Sequence, residues 1–291
     1  MNLFESMRKS PRQWNRRDVL KLSAASVATV GLGALSYGAL VRQRVEVSRV
    51  DVKIARLPGA FAGLTIAHLS DIHHGPYTSL DYIRRCIEIV NGAQPDLVML
   101  TGDFTFAGRR YVEPCAELFR ELKPRIGVYA VLGNHDYYAG ASYVARALRS
   151  AGCNLLLDAK DRIEHRGDRL WLLGVDDFYY GNTDLRQLMR DVADEESRIV
   201  LSHNPDYIEE FAAKRKHADL MMSGHTHGGQ IRFPLVGAPQ IPSYYGQRYA
   251  IGLNRKEAMQ VYTTRGIGTV FLPTRFDCPP EIVFYKLIVD S

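Results

Sequence analysis

Along residues 64 to 223, short unbroken apolar runs alternate with longer stretches in which apolar residues recur every three or four positions. The runs are LTIAHL (Leu64 to Leu69), DLVML (Asp96 to Leu100), VYAVL (Val128 to Leu132), LWLLGV (Leu170 to Val175), RIVLS (Arg198 to Ser202) and DLMMS (Asp219 to Ser223). Short and apolar throughout, they read as strands buried on both faces. Between them, Ser79 to Val90 places Ile83, Ile87 and Val90 at helical spacing, with Thr78 or Ser79 as N-cap. Val112 to Leu122, Tyr143 to Leu148 and Pro205 to Ala213 also read as helices, the last with Asn204 as N-cap and Pro205 at its first position.

Repeated strand and helix argue for an α/β layered fold. The tail departs from the alternation: VYTT (Val261 to Thr264) and EIVFYKLIV (Glu281 to Val289) add strands with no helix between them. The expectation is two packed mixed sheets flanked by helices, four layers in the order α/β/β/α. Val45 to Gly63 shows no decisive pattern, and no repeat or low-complexity linker interrupts the chain beyond Gly63. Residues 45–291 read as one domain behind a leader, residues 1–44.

Polar residues break the pattern just past the apolar runs. DIH (Asp71 to His73), Gly102-Asp103, GNHD (Gly133 to Asp136), His203 in SHNPD, and GHTH (Gly224 to His227) each follow a predicted strand. Open α/β sheets hold ligands beyond the carboxyl ends of their strands, so these residues share a destination. Asp71, His73, Asp103, Asn134, His203, His225 and His227 offer oxygen and nitrogen donors without a thiolate, a set suited to Mn, Fe or Zn. Asp103 is the natural bridge, because a carboxylate can give one oxygen to each of two ions. Singly, each motif has a plainer reading, since an Asp or Asn past a strand often forms a turn or caps a helix. Five unrelated turns would not each supply a metal donor.

Charge separates the leader from the body. Of 37 Lys and Arg and 32 Asp and Glu, eight and two fall in residues 1–44, leaving 29 against 30 in the remainder. The net charge of +5 therefore belongs to the leader. The near-neutral body lacks the basic face that nucleic acid requires, so no nucleic-acid partner is expected. In the leader, NRRDVLK (Asn15 to Lys21) precedes an uncharged run from Leu22 to Val41. Those twenty residues can just cross a hydrocarbon core of about 30 Å. With Arg16-Arg17 directly ahead, the leader resembles a twin-arginine export signal, and the twin-arginine translocase is its expected partner. An uncleaved membrane anchor is favoured over cutting at Ala34-Leu35-Ser36, and the basic flank puts the body outside the cytoplasmic membrane. Cys86, Cys115, Cys153 and Cys278 are too widely spaced for a zinc ribbon or redox pair and read as buried apolar residues. Disulfides remain chemically open outside the cytoplasm.

In this order, DIH, GD, GNHD, SH and GHTH resemble the calcineurin-like metallophosphoesterase superfamily over about residues 64–230. HNPD, GHTHGGQIRFPLVG, RYAIGLN and YTTRGIG resemble its bacterial branch of twin-arginine-exported or membrane-associated phosphodiesterases. The resemblance implies that family's four-layer sandwich and two divalent metal ions. Asp71, His73 and His227 would hold the first, Asn134, His203 and His225 the second, with Asp103 bridging. It further implies hydrolysis of a phosphate ester by a hydroxide bridging the ions, its pKa lowered by both. His135 would stabilise the phosphoryl charge or protonate the leaving oxygen, with Asp136 holding its ring.

Other residues have divided readings. Arg265 is a candidate substrate-binding residue for phosphate, with a structural ion pair as the default. Asp176 and Asp177 could reach the edge of the site. His74 reads as a surface or supporting residue, His68 as a satisfied core histidine, and His165 and His217 as solvated. The pairs Tyr137-Tyr138, Tyr179-Tyr180 and Tyr244-Tyr245 either pack structurally or line a rim. Substrate choice is assigned to loops 104–111 and 232–248. The function expected is a phosphodiesterase at the outer face of the cytoplasmic membrane, acting on a lipid- or nucleotide-linked ester. Two alternatives stand beside it: a UDP-2,3-diacylglucosamine-type pyrophosphatase, and a non-catalytic metal-stabilised surface scaffold, against which the non-ligand His135 argues.

Overall fold

Strands and helices succeed one another in the order β1 (Glu46–Ile54), β2 (Thr65–Leu69), α1 (Leu80–Gly92), β3 (Leu97–Thr101), α2 (Val112–Leu118), β4 (Gly127–Val131), α3 (Asn134–Ala139), α4 (Ala141–Ser150) and β5 (Asn154–Leu155). Next come β6 (Ala159–His165), β7 (Asp168–Gly174), α5 (Leu185–Leu188), β8 (Arg198–Leu201), α6 (Tyr207–Ala213), β9 (Leu220–Ser223), β10 (Gly252–Lys256), β11 (Met259–Thr263) and β12 (Glu281–Val289). This computed structural model describes residues 40–290 other than Ala107, together with Arg17, Gly33 and Gly38. The export signal, the apolar run and the candidate cleavage site lie almost wholly outside the described residues. Among the described residues no helix is long and apolar enough to cross a membrane. The chain divides into two compact units, residues 1–37 and 38–291. At the start of the second, the Gly38 carbonyl accepts hydrogen bonds from Arg42 N at 3.1 Å and Arg275 N at 3.2 Å.

The body contains two six-stranded sheets, ordered β1-β12-β2-β3-β4-β5 and β10-β11-β9-β8-β7-β6. Both are mixed. In the first, β2, β3 and β4 run parallel and β12 joins β2 antiparallel. In the second, β7, β8, β9 and β11 run parallel, with antiparallel β6 and β10 at the edges. Strand side chains alternate between faces, and here both faces are covered. Ile66, Leu97, Met99 and Val131 meet Leu172, Ile199, Leu201 and Met222 between the sheets. Ala67, Leu69, Val98 and Leu100 turn outward onto Ile83, Ile87 and Val144 of the helices, and Val200 and Met221 onto Ile208 and Phe211. Helix, sheet, sheet and helix therefore stack as the sequence predicts. Leu201 is fully buried, so Leu201→Ala would cost about 2–5 kcal/mol.

Single residues account for several local details. Ser79 caps α1, its hydroxyl accepting from Tyr82 N at 3.3 Å. His68 is a core histidine with both nitrogens engaged, 2.9 Å from the Tyr285 hydroxyl and 2.7 Å from Thr101 Oγ1. Burial pushes its pKa down to about 3. All four cysteines are free and buried. The structure also departs from the predicted elements. Val45 to Gly63 contains β1, an edge strand whose buried residues are confined to Val52 and Ile54. The helix expected from Pro205 begins at Tyr207, because Asn204 Oδ1 accepts from Asp206 N at 2.9 Å and holds a turn ahead of it.

Candidate metal centre

Every motif sits where a strand stops. Asp71 and His73 follow β2, Asp103 follows β3, Asn134 opens α3 after β4, His203 follows β8, and His225 and His227 follow β9. The turns are tight: Asp71 (φ 50°), His73 (φ 48°), Asp103 (φ 56°), His225 (φ 69°) and His227 (φ 52°) all adopt the left-handed conformation. For a non-glycine residue this costs on the order of 1–3 kcal/mol, and such strain persists where the surroundings enforce it, characteristically at functional sites. The flanking glycines allow close approach. A Cβ on Gly133 would lie 2.3 Å from Asp103 Oδ1, and one on Gly224 2.1 Å from Asp71 Oδ2.

Asp103 stands at the middle of the donors. Its Oδ2 lies 3.4 Å from His73 Nε2 and 3.2 Å from His203 Nε2. On one side, His227 Nε2 is 3.0 Å from His73 Nε2 and 3.3 Å from Asp71 Oδ1. On the other, His225 Nδ1 is 3.1 Å from His203 Nε2. Asp71, His73 and His227 form one convergent group, and Asp103, His203 and His225 form another. His135 joins His73 and Asp103 in a third. Asn134 Oδ1 is buried without a hydrogen-bond partner among the described residues, as are His73 Nδ1 and His225 Nε2. An orphaned buried amide oxygen beside convergent imidazoles and carboxylates fits a divalent cation well, since it supplies the missing partner.

The electrostatics favour ligation on most of the donors. Burial lowers the pKa of His73 and His225 to about 3 and that of His227 well below its ordinary value, so their rings are neutral and offer lone pairs. His203 differs. Burial opposes its charge, but the Asp103 carboxylate outweighs burial and lifts it to about 10. A cation binding there has to displace that proton. His203 is oriented by its other nitrogen, which donates to the Thr101 carbonyl at 2.7 Å.

A family model described as calcineurin-like phosphoesterase matches residues 64–229, a span that holds every one of these donors. The chain belongs to the calcineurin-like phosphoesterase family. It is a metal-dependent phosphoester hydrolase. Among its relatives is an uncharacterised metallophosphoesterase of Bacillus subtilis, YkuE, 30% identical over 97% of this chain and 99% of that protein. The phosphodiesterase YaeI of Escherichia coli is 31% identical over 94% of this chain and 99% of its own length. A transmembrane protein with a metallophosphoesterase domain from Danio rerio is 32% identical over 92% of this chain and 62% of that protein.

Two expectations for this phosphoesterase need correction. Asp136 does not hold the His135 ring. Its Oδ2 accepts from Asp103 N and Gly133 N, both at 2.9 Å, and its Oδ1 from Phe104 N at 3.0 Å. The His135 ring instead places Nδ1 2.6 Å from the Phe106 carbonyl. Successive residues of a helix point about 100° apart, so neighbours in α3 serve different partners. Arg265 is likewise committed elsewhere. Its guanidinium contacts Glu46 Oε2 at 3.1 Å and Glu281 Oε1 at 3.3 Å, the structural ion pair.

Other residues were missed or sorted by the fold. Fully buried Arg275 donates to the carbonyls of Arg265 (2.7 Å), Gly268 (2.6 Å) and Cys278 (3.0 Å) and reaches His227 Nδ1 at 3.3 Å. Its positive charge helps keep His227 neutral. No motif marks it, because a lone Arg in a loop carries no spacing signal. His74 is buried and bonded to the Thr78 carbonyl at 2.8 Å. Asp177 accepts from the amides of Tyr179 and Tyr180, and Asp176 from the Tyr137 hydroxyl. The tyrosine pairs split: Tyr137 stacks on Tyr180, whereas Tyr138 lines the site and Tyr179 lies 5.6 Å from the His225 ring. A cleft of about 730 Å³ opens from the donors, floored by Asp103, Asn134, His135 and His225 and walled by Ile231, Phe233, Val270 and Phe271.

Proposed function

We propose that this chain is a dinuclear phosphodiesterase acting outside the cytoplasmic membrane, with residues 1–44 serving as a twin-arginine signal that remains as an anchor. The observation that carries the reading is the pair of convergent groups, Asp71/His73/His227 and Asp103/His203/His225, meeting at Asp103 with the unpartnered Asn134 Oδ1 beside them. Asp103 faces both groups and would bridge two ions, and Asn134 would complete the second. Divalent cations held here would supply Lewis acidity, lowering the pKa of water and neutralising charge on the phosphate.

The protein's own residues do the remainder. Phe106 O fixes His135 Nδ1, which leaves Nε2 facing the cleft that His135 lines. Protonated, that nitrogen donates to the leaving oxygen as the ester bond breaks. Asp136 sets the Asp103 backbone, and so the spacing between bridging carboxylate and acid, by accepting from Asp103 N. A cleft of about 730 Å³ is far larger than one phosphate, which leaves room for a large organic group on the ester.

The test is turnover of bis(p-nitrophenyl) phosphate and p-nitrophenyl phosphate by the purified protein with manganese. The reading expects diester hydrolysis in excess of monoester hydrolysis, loss of both on chelation, recovery on metal return, and little turnover by Asn134→Ala. Metal-loaded protein that cleaves neither ester contradicts it.

A further inference from the structure

The connection from β11 to β12, residues 264–280, leaves the second sheet and enters the first. It contains no helix or strand, so its backbone groups must find partners outside any ladder. Fully buried Arg275 supplies many of them. Its guanidinium gathers the carbonyls of Arg265 (2.7 Å), Gly266 (3.3 Å), Gly268 (2.6 Å) and Cys278 (3.0 Å). Carbonyl oxygens drawn together in this way repel one another. A buried cation with a rigid fork of N–H donors satisfies them and fixes the loop's shape.

The stapled loop grips two metal donors that come from different sheets. Asp71 follows β2 of the first sheet, and His227 follows β9 of the second. On the Asp71 side, Ile267 N donates to Ser70 O at 3.1 Å and Gly268 N to Asp71 O at 2.7 Å. On the other, Arg275 Nη2 lies 3.3 Å from His227 Nδ1, and Cys278 Sγ donates to His227 O at 3.2 Å. His227 Nε2 is thereby left facing Asp71 and His73. Gln230, three residues past His227, adds a further tie: its Nε2 donates to Val270 O and Leu272 O, both at 3.0 Å, and its Oε1 accepts from Val270 N at 2.8 Å. Both donors that the loop holds belong to the Asp71/His73/His227 group.

We infer that Arg275 is the positioning residue of the first metal site: by holding residues 265–278 against Asp71 on one side and His227 on the other, it sets the separation of these donors and so the affinity for that ion, with little effect on the ion assigned to Asn134, His203 and His225. The inference rests on the two-ion reading above. Arg275 is fully buried and lies outside the cleft lining, so it touches no substrate. Residues that orient metal ligands from behind typically change metal affinity by about 10–100-fold when altered. The coupling runs both ways. If the loop orders the donors, an ion on those donors must suppress opening of the loop.

The test is zinc affinity of the full chain, read by competition with a chelating dye. The variant is Arg275→Lys, which keeps the charge and loses the fork. It is made in two backgrounds: His225→Ala, which takes a donor from the second ion, and Asp71→Ala, which takes one from the first. In His225→Ala, Arg275→Lys should weaken the remaining ion by about 10–100-fold. In Asp71→Ala it should weaken the remaining ion by less than about twofold, as independent sites do. Equal weakening in both backgrounds, which a general loss of packing would produce, overturns the inference, and so does no weakening in His225→Ala. A second measurement needs no variant. Zinc added to wild type should slow hydrogen exchange of the segment holding the Ile267 and Gly268 amides by about tenfold or more relative to the β6–β7 hairpin at the edge of the second sheet. Equal slowing of the two segments, or none, overturns the inference, and this result decides if a variant does not fold. Wild type that binds fewer than two zinc ions while protecting this segment contradicts the two-ion reading and leaves Arg275 in its role.

Discussion

The backbone amide of His135 donates to Asp103 Oδ1 at 2.8 Å. The carboxylate at the centre of the site and the proposed acid are thus tied through the main chain, while Asp103 Oδ2 is left to His73 and His203. Asp103→Asn disturbs one of these contacts whichever way the amide turns, because its nitrogen cannot accept. The variant should keep its circular dichroism spectrum, bind less metal and lose turnover. A variant that retains the full metal content removes Asp103 from the bridging position.

Asp136 supports the site from beneath. Its two oxygens take three buried backbone N–H groups, from Asp103, Phe104 and Gly133. In Asp136→Asn the side-chain nitrogen faces at least one of those donors and leaves it unpaired, a cost of about 1–3 kcal/mol. Urea unfolding should show that loss together with slower turnover, because Asp103 shifts with its amide. Unchanged stability with lost activity would return Asp136 to direct chemistry.

Arg265 makes the opposite prediction. Glu281 is buried and paired with it at 3.3 Å. Arg265→Ala leaves that carboxylate uncompensated, at a cost of roughly 3 kcal/mol. Below the variant's melting temperature, kcat/KM for a soluble diester should match wild type. A large rise in KM without loss of stability would instead place the guanidinium on the phosphate.

The sequence predicts convergence well and support poorly. Asp71, Asp103, Asn134, His203 and His225 each follow a short apolar run that reads as a strand, so their meeting was legible from position. Asp136 was not, because adjacency to His135 in the chain suggests a contact that a helical turn forbids. Helix α3 itself spans only six residues, Asn134–Ala139, too few to show a period. Arg275 and Gln230 act through backbone carbonyls and amides brought together by folding, and no spacing encodes that. β1 was hidden because an edge strand needs apolar residues on little of its length, here Val52 and Ile54.

His68 links stability to pH. Its pKa is pushed down to about 3 in the fold, against about 6.5 for an exposed imidazole. The unfolded chain therefore binds the extra proton between these values, and stability present above pH 6.5 is lost as pH falls towards 3. From pH 7 to pH 5 this one group should cost about 2 kcal/mol. His68→Gln should be less stable at pH 7, since Tyr285 and Thr101 lose a fitted partner, but should lose less than wild type on acidification. Parallel urea curves for the two proteins at both pH values would contradict this assignment.

Metal content and turnover, measured on the same samples of wild type and His135→Gln, bear most directly on the site. His135 lies within ligand distance of His73 and Asp103, so its role as acid or as ligand is decided by whether metal leaves with it. The dinuclear reading expects two divalent ions per chain in both proteins, and diester turnover about 10²–10⁴-fold lower in the variant. One ion or none in wild type, or metal lost from the variant in step with its activity, contradicts it.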